Sequence, residues 1–116
     1  MINDRELLEL AAKASGFTLE WVSTDLIHDS GPRLRNNNPY WFNWPVWNPL
    51  DDDGDSLRMM VNLDMDVYCN KVWSQAEVCV GHECLFETIE PYAGDPLAAT
   101  RRAIVRAAAE IGRMMK

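Results

Sequence analysis

Four groups of residues in this chain have types and spacings that could do chemistry. Asp51, Asp52, Asp53 and Asp55 crowd Gly54, and Asp51, Asp53 and Asp55 fall at the alternate positions from which a calcium loop draws its oxygen ligands. The match stops there, because the required glycine position falls at Ser56 and the closing acidic ligand at Asn62. The same acids suit the positive end of a helix dipole, so they read as the caps and first-turn acids of a helix over Asp53–Leu63. Cys69, Cys79 and Cys84 are odd in number, lack metal-ligand spacing and sit in apolar, strand-like runs, which predicts buried reduced thiols. A Cys79–Cys84 pair across a hairpin stays open. His28, with Asp25 and Asp29 beside it, and His82, next to Glu83, are the candidates for acid–base work. No plausible nucleophile, phosphate-cradling loop or complete metal set accompanies them, so no catalytic residue, metal or cofactor is assigned.

The fourth group is aromatic. Tyr40, Trp41, Phe42, Trp44 and Trp47 lie within eight positions, with Arg33 and Arg35 just before them. They could fold back as a lid over a sheet, each bringing a large apolar area. They could instead form an exposed recognition surface, as a protein hot spot or a platform on which bases stack. The lid is the simpler reading, with one or two aromatics exposed in either case. Base stacking is the weaker functional version, because only two arginines lie near enough to hold phosphates. If a binding surface exists, Tyr40, Trp41, Phe42, Trp44, Arg33 and Arg35 are its candidate residues.

The elements that would position these groups follow from period and punctuation. Asn3 precedes Glu6 at capping-box spacing, Leu7, Leu8, Leu10, Ala11 and Ala14 give an apolar face, and Gly16 stops the turn, predicting a helix over 4–15. Phe17–Val22 alternates as a short strand, expected to join the main sheet. Residues 24–46 form an irregular, aromatic-rich loop punctuated by Asp29-Ser30-Gly31-Pro32 and Asn36-Asn37-Asn38-Pro39. Asp66–Trp73, Gln75–Val80 and Glu83–Ile89 read as three strands joined by short turns, hence an antiparallel meander. Both faces of that meander carry apolar residues, which predicts helices on each side. Asp95 caps and Pro96 opens a last helix whose stripe is Leu97, Thr100, Ile104, Ala108, Ile111 and Met115. Ala99, Ala103 and Ala107 permit close approach to a sheet, while Arg102, Arg106, Glu110 and Arg113 form a solvated side, with Arg106 and Glu110 spaced to pair.

The expected fold is α+β: one domain over residues 1–116, a three-layer α/β/α sandwich with a mainly antiparallel sheet of three to four strands and about three helices. A hydrophobic fraction of 47% and a charged fraction of 25% sit at globular averages and exclude a disordered chain. The formal net charge of −7 disfavours direct nucleic-acid binding, which rests on neutralising phosphates. Arg101, Arg102, Arg106, Arg113 and Lys116 nonetheless make the segment after Gly94 basic on an acidic body. No run approaches the roughly 18 apolar residues a membrane span needs, and the charged start lacks a signal-peptide core.

Two blocks carry a family resemblance. Trp47-Asn48-Pro49-Leu50 with Asp52-Asp53-Gly54-Asp55 and Leu57-Arg58, followed much later by Ala99–Arg113, resemble the small phage and prophage proteins of the phage ABA-sandwich family. The resemblance implies an α/β/α sandwich from a tailed phage or prophage, working in the bacterial host cytoplasm, with no catalytic residues to carry over. The Asn36–Trp44 loop departs from the family pattern. The expected function is a non-enzymatic phage accessory protein that binds a host or phage macromolecule through that loop. A small hydrolase or metal-dependent enzyme and a homo-oligomeric structural protein are the alternatives.

Overall fold

Asn3 opens the first element: its side chain accepts the Glu6 amide at 2.8 Å, and Gly16 closes the helix in the left-handed region. The computed structural model describes residues 2–23, 30–81 and 83–115. In chain order it contains α1 (Asp4–Ser15), β1 (Leu19–Val22), β2 (Gly31–Leu34), a 3-10 turn (Trp41–Asn43), α2 (Asp53–Asn62), β3 (Met65–Asn70), β4 (Gln75–Val80), β5 (Phe86–Pro91) and α3 (Pro96–Met114). The class is α+β, with three helices and two antiparallel sheets among the described residues.

The larger sheet has the order β3-β4-β5, in the register Met65↔Val80↔Phe86, Val67↔Val78↔Thr88 and Cys69↔Ala76↔Glu90 along one face. That face holds the buried side chains of Met65, Ala76, Val78, Val80 and Thr88. α3 lies on it so closely that the Thr88 hydroxyl donates to the Ala103 carbonyl at 2.8 Å, an approach a longer side chain at position 103 would block. α1 packs on the far side of α3, not on the sheet. Asp4 pairs with Arg102 at 2.9 Å and Lys13 donates to the Met115 carbonyl at 2.9 Å, so the two helices run parallel.

α3 is therefore covered on two sides, which explains its composition. Ala99, Ala103, Ile104, Val105, Ala107, Ala108, Ala109 and Gly112 are all buried, a far wider arc than one amphipathic stripe. The strip left open carries Arg102, Arg106, Glu110 and Arg113. Arg106 pairs with Glu90 at 2.6 Å rather than with Glu110, whose partner is Arg113. Spacing on the helix made the Arg106–Glu110 pair available, but an acid on the neighbouring strand wins.

α2 follows a turn built on Asn48, whose side chain accepts the Leu50 amide at 3.1 Å. Asp52 caps α2 by accepting the Asp55 amide at 2.8 Å, Asp55 accepts from the Asn48 amide and from Arg58, and Asp53 pairs with Arg101 at 2.7 Å. The acid cluster thus caps α2 and ties it to α3.

Three expectations need correction. β1 does not join the main sheet; it pairs with β2 in a separate two-stranded sheet, Leu19↔Leu34 through Val22↔Gly31. The stretch expected to be irregular contains β2 and a 3-10 turn, because Gly31 and Arg33 complete a ladder that short-range periodicity does not reveal. The sheet faces are also unequal. Asp66, Tyr68, Glu87 and Ile89 on the outer face are exposed and no described helix covers them, so the contacts run sheet, α3, α1 in place of helices on both faces.

The α1–α3 crossing gives the sharpest test of this packing. A Cβ at Gly112 would fall within the radius of the Leu10 carbonyl oxygen and 2.8 Å from its carbon, so the helices would have to move apart. Gly112→Ala is expected to cost about 3 kcal/mol or more in urea unfolding. Gly16→Ala, strained at a φ of 77° but with open space around it, should cost only about 1 kcal/mol. Equal losses would refute the close contact.

Candidate functional site

The aromatic loop is an extension of the two-stranded sheet. After β2 the chain leaves through Arg35, whose amide donates to the Thr18 carbonyl, and returns at residues 45–47. There the Leu34 amide donates to the Pro45 carbonyl at 2.9 Å, the Trp47 amide donates to the Pro32 carbonyl at 3.1 Å, and Arg33 bridges Val46. The ladder closes both ends of the loop.

Asn38 organises what lies between. Its side-chain oxygen accepts the Tyr40 amide at 2.9 Å, its carbonyl accepts the Trp44 indole N–H at 2.8 Å, and its own amide donates to the Asn36 side chain at 2.8 Å. Such local side-chain bonds are what Asn offers a chain that cannot continue a ladder. Arg33 is 8% exposed, donates to the Trp44 carbonyl at 2.9 Å and places its guanidinium 5.3 Å from the Trp41 ring centroid. Arg35 lies 5.3 Å from the Trp44 ring and pairs with Glu20 at 3.2 Å.

The candidate residues thereby separate into three roles. Trp47, 4% exposed, is a core anchor set edge-on against Phe17 at 5.7 Å. Trp41 and Trp44 are half-buried and clamped by the two arginines. Tyr40 and Phe42 are 58% and 60% exposed, and their rings stack at 5.4 Å with 20° between the planes. The described contacts place the loop against the β1–β2 hairpin, not as a lid over the larger sheet. His28, Asp25, Asp29 and His82 lie outside the described residues.

The outer face of the larger sheet is a second exposed surface, and it holds Cys79. Cys79 and Cys84 are joined as a disulfide with their Cα atoms 5.0 Å apart, and Cys69 is free and exposed, which corrects the expectation of buried reduced thiols. For Cys79 the physical reason is the uncovered face, since the apolar run around it alternates and its odd members point away from α3; Cys84 lies in the turn after β4, and Cys69 is exposed near the end of β3 although its row faces α3. Sequence reasoning also missed the row Asp66↔Cys79↔Glu87, which requires the strand register. Further along, Glu77 accepts from Gln75 at 2.8 Å and Asn70 at 2.7 Å, and these bonds, Gln75's first, hold its carboxyl below the ordinary glutamate range.

No family model, curated protein or solved structure matches the chain.

Two measurements check these geometries. Asn38→Ala should speed amide exchange at Tyr40 about fivefold while leaving the α3 amides unchanged, since about 1 kcal/mol of local bonding is removed. Unchanged loop exchange would show that Asn38 does not hold the loop. Separately, Gln75→Ala should move the Glu77 carboxyl titration, followed by NMR, upward toward its ordinary range. Because the native shift is downward, its contribution to stability is present above the unfolded-state pKa and is lost as pH falls through the folded one.

Proposed function

We propose that the protein is a non-enzymatic binding module, a phage or prophage accessory protein that engages a host or phage protein through the tip of the aromatic loop. The observation that carries this reading is the exposed Tyr40–Phe42 stack on a loop held by Asn38, Arg33 and Arg35. Holding two large aromatic rings in water is unfavourable for the free fold, whereas fixed aromatics bind with little further loss of side-chain entropy. Tyr and other aromatics are enriched among the residues that dominate protein interfaces. The phage origin rests on the resemblance of the Trp47–Arg58 and Ala99–Arg113 blocks.

A protein partner is favoured over single-stranded nucleic acid by the state of the two arginines. Arg33 is buried under Trp41 and Arg35 already has Glu20 as a partner, so little positive charge stands beside the stack to neutralise a phosphate. The net charge of −7 acts in the same direction.

Tyr40→Ala combined with Phe42→Ala is the informative variant, because both rings are exposed, whereas truncating Trp41 or Trp44 would disturb the loop itself. The double variant should keep its unfolding free energy within about 0.5 kcal/mol of wild type. Its capture of partners from bacterial lysate should fall by about thirtyfold, the effect of removing roughly 2 kcal/mol of hot-spot contact. Identical partners for both chains would remove the loop from consideration. Salt-sensitive binding of a single-stranded oligonucleotide that the double variant loses would replace the protein reading with the nucleic-acid one.

A further inference from the structure

The exposed end of the larger sheet brings together three groups that the loop-binding reading does not use. The Cys79 Sγ, the Cys84 Sγ and a Glu87 carboxylate oxygen all lie within 4.8 Å of one another. Glu87 is the cross-strand neighbour of Cys79, with a carboxylate oxygen 3.4 Å from its sulfur, and Cys84 is carried back toward the strand by a turn with positive φ at Gly81, Glu83 and Cys84. Asp66 opposes Cys79 from the other side and extends the same row of negative charge.

We infer that Cys79, Cys84 and Glu87 form a redox-gated site that, when the disulfide is reduced, binds a thiophilic divalent cation of the zinc class. In the oxidised chain neither sulfur has a proton to give Glu87 or a negative charge to offer a metal. Reduction changes both. An external small-molecule thiol attacks one sulfur as its thiolate, forming a mixed disulfide and releasing the other cysteine. A second external thiol then displaces the first as its disulfide, leaving two protein thiols and one oxidised reductant.

The reduced pair cannot ionise freely, because two thiolates and a carboxylate so close together repel one another. A divalent cation removes that repulsion: it displaces the two thiol protons and takes both sulfurs and one Glu87 oxygen. Zinc accepts this ligand set, with Zn–S distances of about 2.3 Å, which puts the two sulfurs roughly 3.8 Å apart in a tetrahedral site. With three protein ligands the fourth position is left for water or a partner's side chain. The cysteines and Glu87 are half-buried to exposed, so both the reductant and the ion can reach them.

The test uses the full chain with and without prior reduction by a phosphine, titrated with Zn²⁺ alone against a chromophoric chelator. Cd²⁺ alone is titrated in parallel, because cadmium thiolates absorb in the near ultraviolet. The reduced chain should take up one equivalent and develop the thiolate band, and the oxidised chain should do neither. Cys69→Ser should change nothing. Cys79→Ser or Cys84→Ser should abolish the band, and Glu87→Gln should weaken uptake about tenfold while preserving it. Should a cysteine variant fail to fold, alkylation of the reduced Cys69→Ser chain serves in its place. Equal uptake by the oxidised chain, loss of uptake in Cys69→Ser, or an affinity unmoved by Glu87→Gln would overturn the assignment. None of these outcomes bears on Tyr40 or Phe42, so this site and the loop stand or fall separately.

Discussion

The approach of α1 to α3 at Gly112, where the Leu10 carbonyl occupies the space of a missing side chain, is the constraint on which the rest of the fold rests. α3 has the sheet on one side and α1 on the other. A helix in that position needs small side chains where its neighbours approach most closely. The alanines of α3 are the consequence, and Thr88 uses the closeness they permit to reach a helix carbonyl. α3 itself adds Ile104 and Val105 to the core, and the neighbours supply Leu7 and Leu8 from α1, Val78 and Val80 from β4, Met59 from α2 and Trp47 from the segment that follows the loop.

Because α1 covers α3 rather than the sheet, the outer face of the sheet stays open. That one difference in layer order decides the environment of Cys79, Cys84, Glu87, Tyr68 and Ile89. Residues that alternate in an apolar run become half-exposed, and two cysteines that would be inert in a core become an accessible disulfide. The same openness leaves Glu77 where, among the described residues, its neighbours Gln75 and Asn70 stabilise its charge.

The aromatic loop obeys a different rule. Its anchors are buried before and after it, at Arg33 and Trp47, and the intervening residues are fixed by bonds from Asn38 and by the arginines lying on Trp41 and Trp44. Rigidity is thus supplied from within the loop and from the hairpin beneath it, which frees Tyr40 and Phe42 to face outward. The dense aromatic composition that suggests one collective role in the sequence is divided into an anchor, a clamp and a surface.

The sequence by itself determined the local elements: the Asn3, Asp52 and Asp95 caps, the Gly16 stop, the α2 and α3 helices and the three-stranded meander all follow from side-chain chemistry acting within a few residues. It also singled out the aromatic loop and its side chains, because Asn-Asn-Asn-Pro and a run of aromatics are local signals. What only the tertiary structure decided was long-range. The partner of β1, the side of α3 that receives α1, the exchange of Arg106's partner from Glu110 to Glu90, and the meeting of Cys79, Cys84 and Glu87 each depend on segments distant in sequence or on strand register. Periodicity says that a face is apolar; it does not say which neighbour covers it, because that choice is made by steric fit, and here a single glycine admits α1 where no side chain could.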